Sequence, residues 1–261
     1  MSETTHLPDV KHVHFSAPFA WLLMGWRDMR KAPALFGAYG VMLALMSVFV
    51  ASSLYLTGRF EWFLVFAGGF MIITPIIAAG LYRGAQILET GGHPKLGDVL
   101  GPFRRARSDQ IMLGVALLFL FGLWAEVAYL IYGLSSSAVH RSIFDFLAFM
   151  LTTSSGLQMA MVGTLVGGAI AFIAYAIVVV SAPMLLLKES DFFIALITSV
   201  RTVLTNFPAM LLWAFLIVFL TMLGIATGFL GLIIVFPWIG LSSWHAYRSL
   251  VVPTADVAVG V

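Results

Sequence analysis

Six long apolar stretches alternate with polar segments along this chain. Each is long enough to cross a bilayer, which takes roughly 20 apolar residues at about 1.5 Å of rise apiece. The predicted spans are Ala34–Thr57, Phe60–Leu81, Ile111–Leu134, Met159–Leu187, Ala209–Ala226 and Thr227–Val251. The last two form one apolar block, far longer than a single span needs. A hairpin turn is placed at Gly224-Ile225-Ala226-Thr227-Gly228, where glycine eases a tight reversal. The expected architecture is an all-α, six-helix membrane bundle. Residues 1–33 form a tail with an interfacial helix, 34–251 the transmembrane domain and 252–261 a second tail.

A second pattern lies in the polar segments. Phe19–Arg30, Leu96–Arg107 and Phe192–Leu204 each mix apolar residues three and four apart with basic ones, the signature of a helix lying in the membrane interface. Pro102 interrupts the second as a straight helix. Each segment precedes a pair of spans. The second, fourth and sixth spans each carry one proline toward the same side: Pro75, Pro183 and Pro237. Ala32-Pro33-Ala34-Leu35 also resembles Phe207-Pro208-Ala209-Met210. These features suggest three units of interfacial helix plus helical hairpin. Against that stands the frequency of basic juxtamembrane helices and transmembrane prolines in any multi-pass protein. The loop Ser135–Gln158 interrupts the pattern. Its apolar piece, Ile143–Leu151, is too short to span, so it lies on the outer surface or re-enters shallowly.

Composition agrees with lipid as the solvent. The chain is 61% hydrophobic and 10% charged, where soluble domains are nearer half and a quarter. Charge then gives orientation. Of the 14 Lys and Arg, only Arg59 and Arg141 fall on one side of the predicted spans, so the positive-inside rule places both termini in the cytoplasm. Aromatic residues near the span ends read as interfacial belts: Trp21, Trp26, Tyr82, Trp238, Trp244 and Tyr247 inside, Tyr55, Trp62, Tyr129 and Tyr132 outside. The formal charge of +2 is scattered over loop ends and gives no stripe for nucleic acid. Cysteine is absent, which removes disulfides and thiolate chemistry.

Few residues suggest chemistry. Glu126 is the one acid well inside a predicted span, and an intramembrane charge is by default a functional candidate. It is the candidate polar site of a transport reading; pairing with Arg59 or Arg141, or hydration, is the plainer explanation. His12 and His14 form an H-x-H pair with nothing nearby to complete a metal site. His245 lacks a second histidine at depth to share a haem, because His6, His93 and His140 sit in tails or loops; it reads as an anchor beside Arg248. The glycine-rich Glu89–Pro94 loop lacks the G-K-[ST] that holds phosphate. Ser135-Ser136-Ser137 and Ser154-Ser155 have no base partner. No catalytic, cofactor or metal site is expected. Gly163/Gly167 and Gly224/Gly228 have small-xxx-small spacing for helix packing. Pro75, Pro183 and Pro237 free backbone carbonyls, and Thr74 stands close enough to help satisfy one.

The sequence resembles the bacterial integral membrane proteins of domain-of-unknown-function family 2189. The likeness is carried by Gly80-Leu81-Tyr82-Arg83, Leu96-Gly97-Asp98-Val99-Leu100, Ser199-Val200-Arg201, Asn206–Ala214 and, most specifically, Ala226–Gly231 with Trp244-His245-Ala246-Tyr247-Arg248. The resemblance implies a multi-pass protein of the bacterial inner membrane and assigns no activity. Some relatives carry names linking them to cytochrome c oxidase subunit I. A haem–copper subunit needs about a dozen spans and several intramembrane histidines, which this chain lacks; an accessory or assembly role beside an oxidase is left open by the resemblance without support from the residues.

The expected function is therefore association rather than catalysis. Arg27, Arg30, Lys31, Arg104, Arg105, Arg107 and Arg201 would contact anionic lipid headgroups at the cytoplasmic face. A membrane-protein partner or a second copy of the chain is the other expected partner. The alternative is a small-solute transporter or channel using Glu126 and the proline-broken helices.

Overall fold

The computed structural model describes residues 7–58, 62–104, 107–136, 143–186 and 191–252. Their regular elements are helices, apart from a single β-bridge between Val10 and Val251. Five helical stretches are long and apolar enough to cross a membrane. They are α2 (Pro33–Leu56), α3 and α4 end to end (Phe63–Ile77, Ala79–Glu89), α6 (Ser108–Ser135), α8 and α9 end to end (Ser154–Val178, Ser181–Leu186), and α11 (Phe207–Ala226). The sixth apolar stretch becomes α12 (Leu232–Leu250), which is not among the five. Its first half, Leu232–Leu241, is apolar, but Ser242, Ser243, His245 and Arg248 make the second half polar.

The interfacial segments fold as α1 (Ala17–Lys31), α5 (Leu96–Arg104) and α10 (Phe192–Thr205). Pro33 ends α1 by disfavouring helix at Ala32. Asp191 starts α10 by accepting the Ile194 N–H at 2.9 Å. The Glu89–Pro94 loop is a turn: Gly91 takes φ +77°, and Gly91 and Gly92 donate back to Leu88 and Ile87, closing α4 in a Schellman motif. In the long loop, α7 (Ile143–Thr152) folds back on α8. Gly156 makes this possible, because a Cβ there would strike the Phe149 carbonyl.

The three proline-bearing stretches meet one another through α4, α9 and α12. Leu81, Leu185 and Leu241 are fully buried there, and Gly240 lets α12 close onto Leu81. Each proline has its own local outcome. Pro183 coincides with a break between α8 and α9, and Ser199 of α10 repairs the ladder there. Its hydroxyl accepts the Val180 N–H (3.1 Å) and donates to the Ala176 carbonyl (2.7 Å), the two groups that would otherwise bond each other. Pro75 lies just before the α3–α4 break, where Tyr39 of α2 donates to the Ile77 carbonyl. Thr74 donates to Phe70 O at 2.5 Å, one residue short of the carbonyl that Pro75 deprives. Pro237 lies inside an unbroken α12, and the Ile233 carbonyl it frees abuts Gly40 of α2.

The N-terminal segment is docked. Lys11 N–H donates to Leu250 O and Val252 N–H to Asp9 O, while Asn206 accepts from Val13 N–H (2.9 Å) and donates to Lys11 O (3.0 Å). Residues 9–13 are thus fastened both to residues 250–252 and to Asn206, where α10 turns into α11.

Candidate functional site

One end of the molecule gathers Trp21, Trp26, Trp213, Trp238 and Trp244 together with buried ionic groups. Asp28 of α1 is only 4% exposed. It accepts from His245 Nε2 of α12 and from Lys31 Nζ, each at 2.7 Å. Burial raises the Asp28 pKa, but the hydrogen bonds and charges of His245 and Lys31 outweigh it and hold the carboxyl below its ordinary value. Glu89, at the end of α4, accepts from Trp244 Nε1 and Arg248 Nε, each at 3.0 Å. Trp238 Nε1 donates to Leu22 O (2.7 Å), and Trp21 meets Trp213 edge-on at 5.6 Å. Gly25 is required in α1 because a Cβ would collide with Ser242. These contacts bolt α1 and α4 to α12. No cluster of three metal-ligating side chains exists among the described residues.

This arrangement corrects the inner aromatic belt. Trp21, Tyr82, Trp244 and Tyr247 are buried core residues rather than lipid-facing anchors, because their rings pack between α1, α4, α11 and α12. Trp26 and Trp238 are half-buried against each other. At the other end Tyr55 and Tyr129 are exposed, as a belt requires. His245 does more than anchor, since it holds Asp28. His12 and His14 are exposed on the docked N-terminal segment.

The interfacial helices turn one face to the bundle and another outward. The outward faces share a pattern that the sequence carries but that was not singled out: apolar, apolar, Arg at i, i+4 and i+8. In α1 it is Phe19, Leu23, Arg27; in α5 Leu96, Leu100, Arg104; in α10 Phe193, Ile197, Arg201. All are exposed except half-buried Leu100. Of the other basic candidates, Arg30 is exposed, Lys31 is tied to Asp28, and Arg107 caps α6 with Gln110 beside Asp109. Arg105, with Arg59 and Arg141, lies outside the described residues.

A cavity of about 380 Å³ opens between α8 and α11, with α3, α4 and α12 behind it. Its wall is apolar and carries no charged residue among those described. Phe215, 60% exposed, and Leu211 and Val218 form its outer rim. Toward the tryptophan-rich end the seam is closed by Tyr175 O–H donating to Met210 O (2.8 Å) and by the edge-on Phe172–Phe207 pair. Glu126 is exposed on α6 and is not part of this wall. Of the glycine candidates, Gly167 receives the Trp124 ring and Gly224 the Leu232 side chain. Gly163 touches nothing, and Gly228 takes φ +68° in the α11–α12 turn.

Residues 63–186, from the start of α3 to the end of α9, match the family described as predicted integral membrane protein (DUF2189). This stretch carries the family's domain. The 80–83 and 96–100 likenesses fall inside it, whereas those at 199–214, 226–231 and 244–248 lie beyond it. No curated protein and no solved structure matches the chain. The matched segment therefore contains three of the five apolar crossings in full and lines the cavity from α3, α4 and α8.

Proposed function

We propose that the chain is a six-span protein of the bacterial inner membrane with cytoplasmic termini. It carries out no reaction and acts by association with anionic lipid or a membrane-protein partner. The observation carrying this reading is the outward apolar–apolar–Arg stripe on α1, α5 and α10. An apolar pair dips into acyl chains while the arginine one turn on meets phosphate, the arrangement of an interfacial anchor.

A threefold arrangement gives the stripes their context. α5 packs on α4 and α10 on α8 and α9, the proline-bearing stretch of the preceding unit in each case. α1 packs on α12, which closes the circle. Span ends repeat too: α2 and α11 both stop at Thr-Gly, with Gly58 and Gly228 at φ +67° and +68°. α12 serves as the sixth span, its polar half emerging among the interfacial helices. The transport alternative is set aside, because Glu126 faces outward and Leu81, Leu185 and Leu241 fill the junction of the proline-bearing helices.

The test removes the arginines that make no hydrogen bond or ion pair among the described residues. Replacing Arg27, Arg104 and Arg201 by Gln, with Arg107 left in place, removes about 1 kcal/mol of attraction per site. Phosphatidylglycerol retained after gentle extraction, counted by native mass spectrometry, falls by at least half. Unchanged retention contradicts the reading.

A further inference from the structure

We propose that the cavity between α8 and α11 is a binding site for a neutral single-chain lipid, a hydrocarbon chain bearing an uncharged oxygen acceptor. This inference rests on the lipid-association reading and names a ligand that the arginine stripes do not address.

The chemistry of the wall selects the ligand. With no charged residue lining it, the cavity offers a carboxylate or phosphate no counter-ion. Two hydroxyl-bearing residues of the wall are unused. Tyr82 is 4% exposed and Thr221 9% exposed, and neither hydroxyl makes a hydrogen bond among the described residues. The wall's other hydroxyls are engaged: Thr74 with Phe70 O, Ser243 with Ile239 O and Tyr175 with Met210 O. Unlike the sealed Thr198 Oγ1 and Trp213 Nε1, both hydroxyl oxygens keep accessible surface, so a ligand in the cavity can reach them. A ligand oxygen supplies a partner at Tyr82, toward the tryptophan-rich end.

The shape selects a chain. Along α12 the wall runs from Leu232 to Ser243, about 16 Å at 1.5 Å per residue. Its volume of about 380 Å³ lies within the range of small-molecule pockets, about 300–1,000 Å³. Exposed Leu211, Phe215 and Val218 set the opening on the side of α11, midway along an apolar crossing, where a lipid enters without passing through water. Gly168 faces open space in this wall, with nothing within 4 Å of where a Cβ would stand.

Monooleoylglycerol and oleate, which share a chain and differ in charge, are the probes. Each is titrated into the detergent-solubilised full chain and its occupancy read by native mass spectrometry. Wild type binds one monooleoylglycerol at least about tenfold more tightly than oleate. Tyr82→Phe, which removes an unpaired hydroxyl, weakens the glyceride about five- to tenfold and leaves oleate unchanged. Gly168→Leu abolishes the single site while keeping its helical circular dichroism and melting temperature. Equal binding of the two probes, or undiminished glyceride binding in Gly168→Leu, overturns the proposal. Phosphatidylglycerol retention, read in the same spectra, depends on Arg27, Arg104 and Arg201 and not on Gly168, so the failure of either idea is seen separately.

Discussion

At the α3–α6 seam the ring of Phe121 lies over Gly69, and the indole of Trp124 lies over Gly68 on one side and Gly167 of α8 on the other. The Trp124 N–H donates to the Val65 carbonyl at 3.1 Å, which fixes the ring where the glycines make room. The α8–α11 seam begins with similar materials, Gly168 on one helix and Phe215 on the other. There the phenyl ring stacks on Phe219 of its own helix at 5.8 Å and stays exposed, and the space beside Gly168 stays open. At the α3–α6 seam side chains fill the glycine notches, and the Trp124 N–H bond fixes one of the rings that does so; at the α8–α11 seam nothing fills the notch at Gly168. Helices in lipid gain nothing from simply hiding apolar surface, so close fit and hydrogen bonds decide which seams close.

The largest effect should come from reversing this difference. Gly69→Leu drives a side chain into the Phe121 ring, and overpacking of this kind costs about 1–3 kcal/mol or more. The melting temperature in detergent should fall by many degrees. Gly168→Leu should leave it unchanged or slightly raised, because helix propensity improves by about 0.5–1 kcal/mol and nothing is struck. Equal damage at the two sites would dissolve the contrast.

A smaller effect sharpens the comparison with a third contact, α1 on α12, which combines the Gly25 notch with a buried carboxylate. Asp28 is held below its ordinary pKa, so its stabilisation is complete above the unfolded value of about 3.9 and is lost as pH falls below that. Asp28→Asn should cost about 1–3 kcal/mol near neutrality, by leaving His245 and Lys31 with a weaker acceptor. It should also flatten the acid limb of melting temperature against pH. An unchanged acid limb would mean that the glycine notch and the tryptophan contacts hold α1 without help from Asp28.

Much of the bundle was legible because lipid leaves the backbone so few choices. The predicted spans 34–57, 111–134 and 209–226 agree with α2, α6 and α11 within a few residues at each end, and all three interfacial segments are helices. Where the reading fell short, side chains had partners far away in sequence. Trp21 and Trp244 look like belt residues until Trp213 and Glu89 are seen beside them. Asp28 and His245 are 217 positions apart, and periodicity carries no trace of such a pair. The second predicted span runs on as helix to Glu89 because no proline stands between Leu81 and Gly91. The cavity was illegible for the same reason, since it depends on where Phe215 points. By contrast, the i, i+4, i+8 stripe was present in the sequence and needed only a comparison of the three interfacial segments residue by residue.

Photolabelling of the wild-type protein in its own membrane with a diazirine-bearing monoacylglycerol, mapped by peptide mass spectrometry, tests the contrast between seams most directly. Leu45, Phe119 and Leu165 are as exposed on the apolar crossings as the rim of the α8–α11 seam. The account predicts label concentrated at Leu211, Phe215 and Val218 and displaced by unlabelled monooleoylglycerol. Label spread evenly over all the exposed apolar positions, and not displaced, would contradict it.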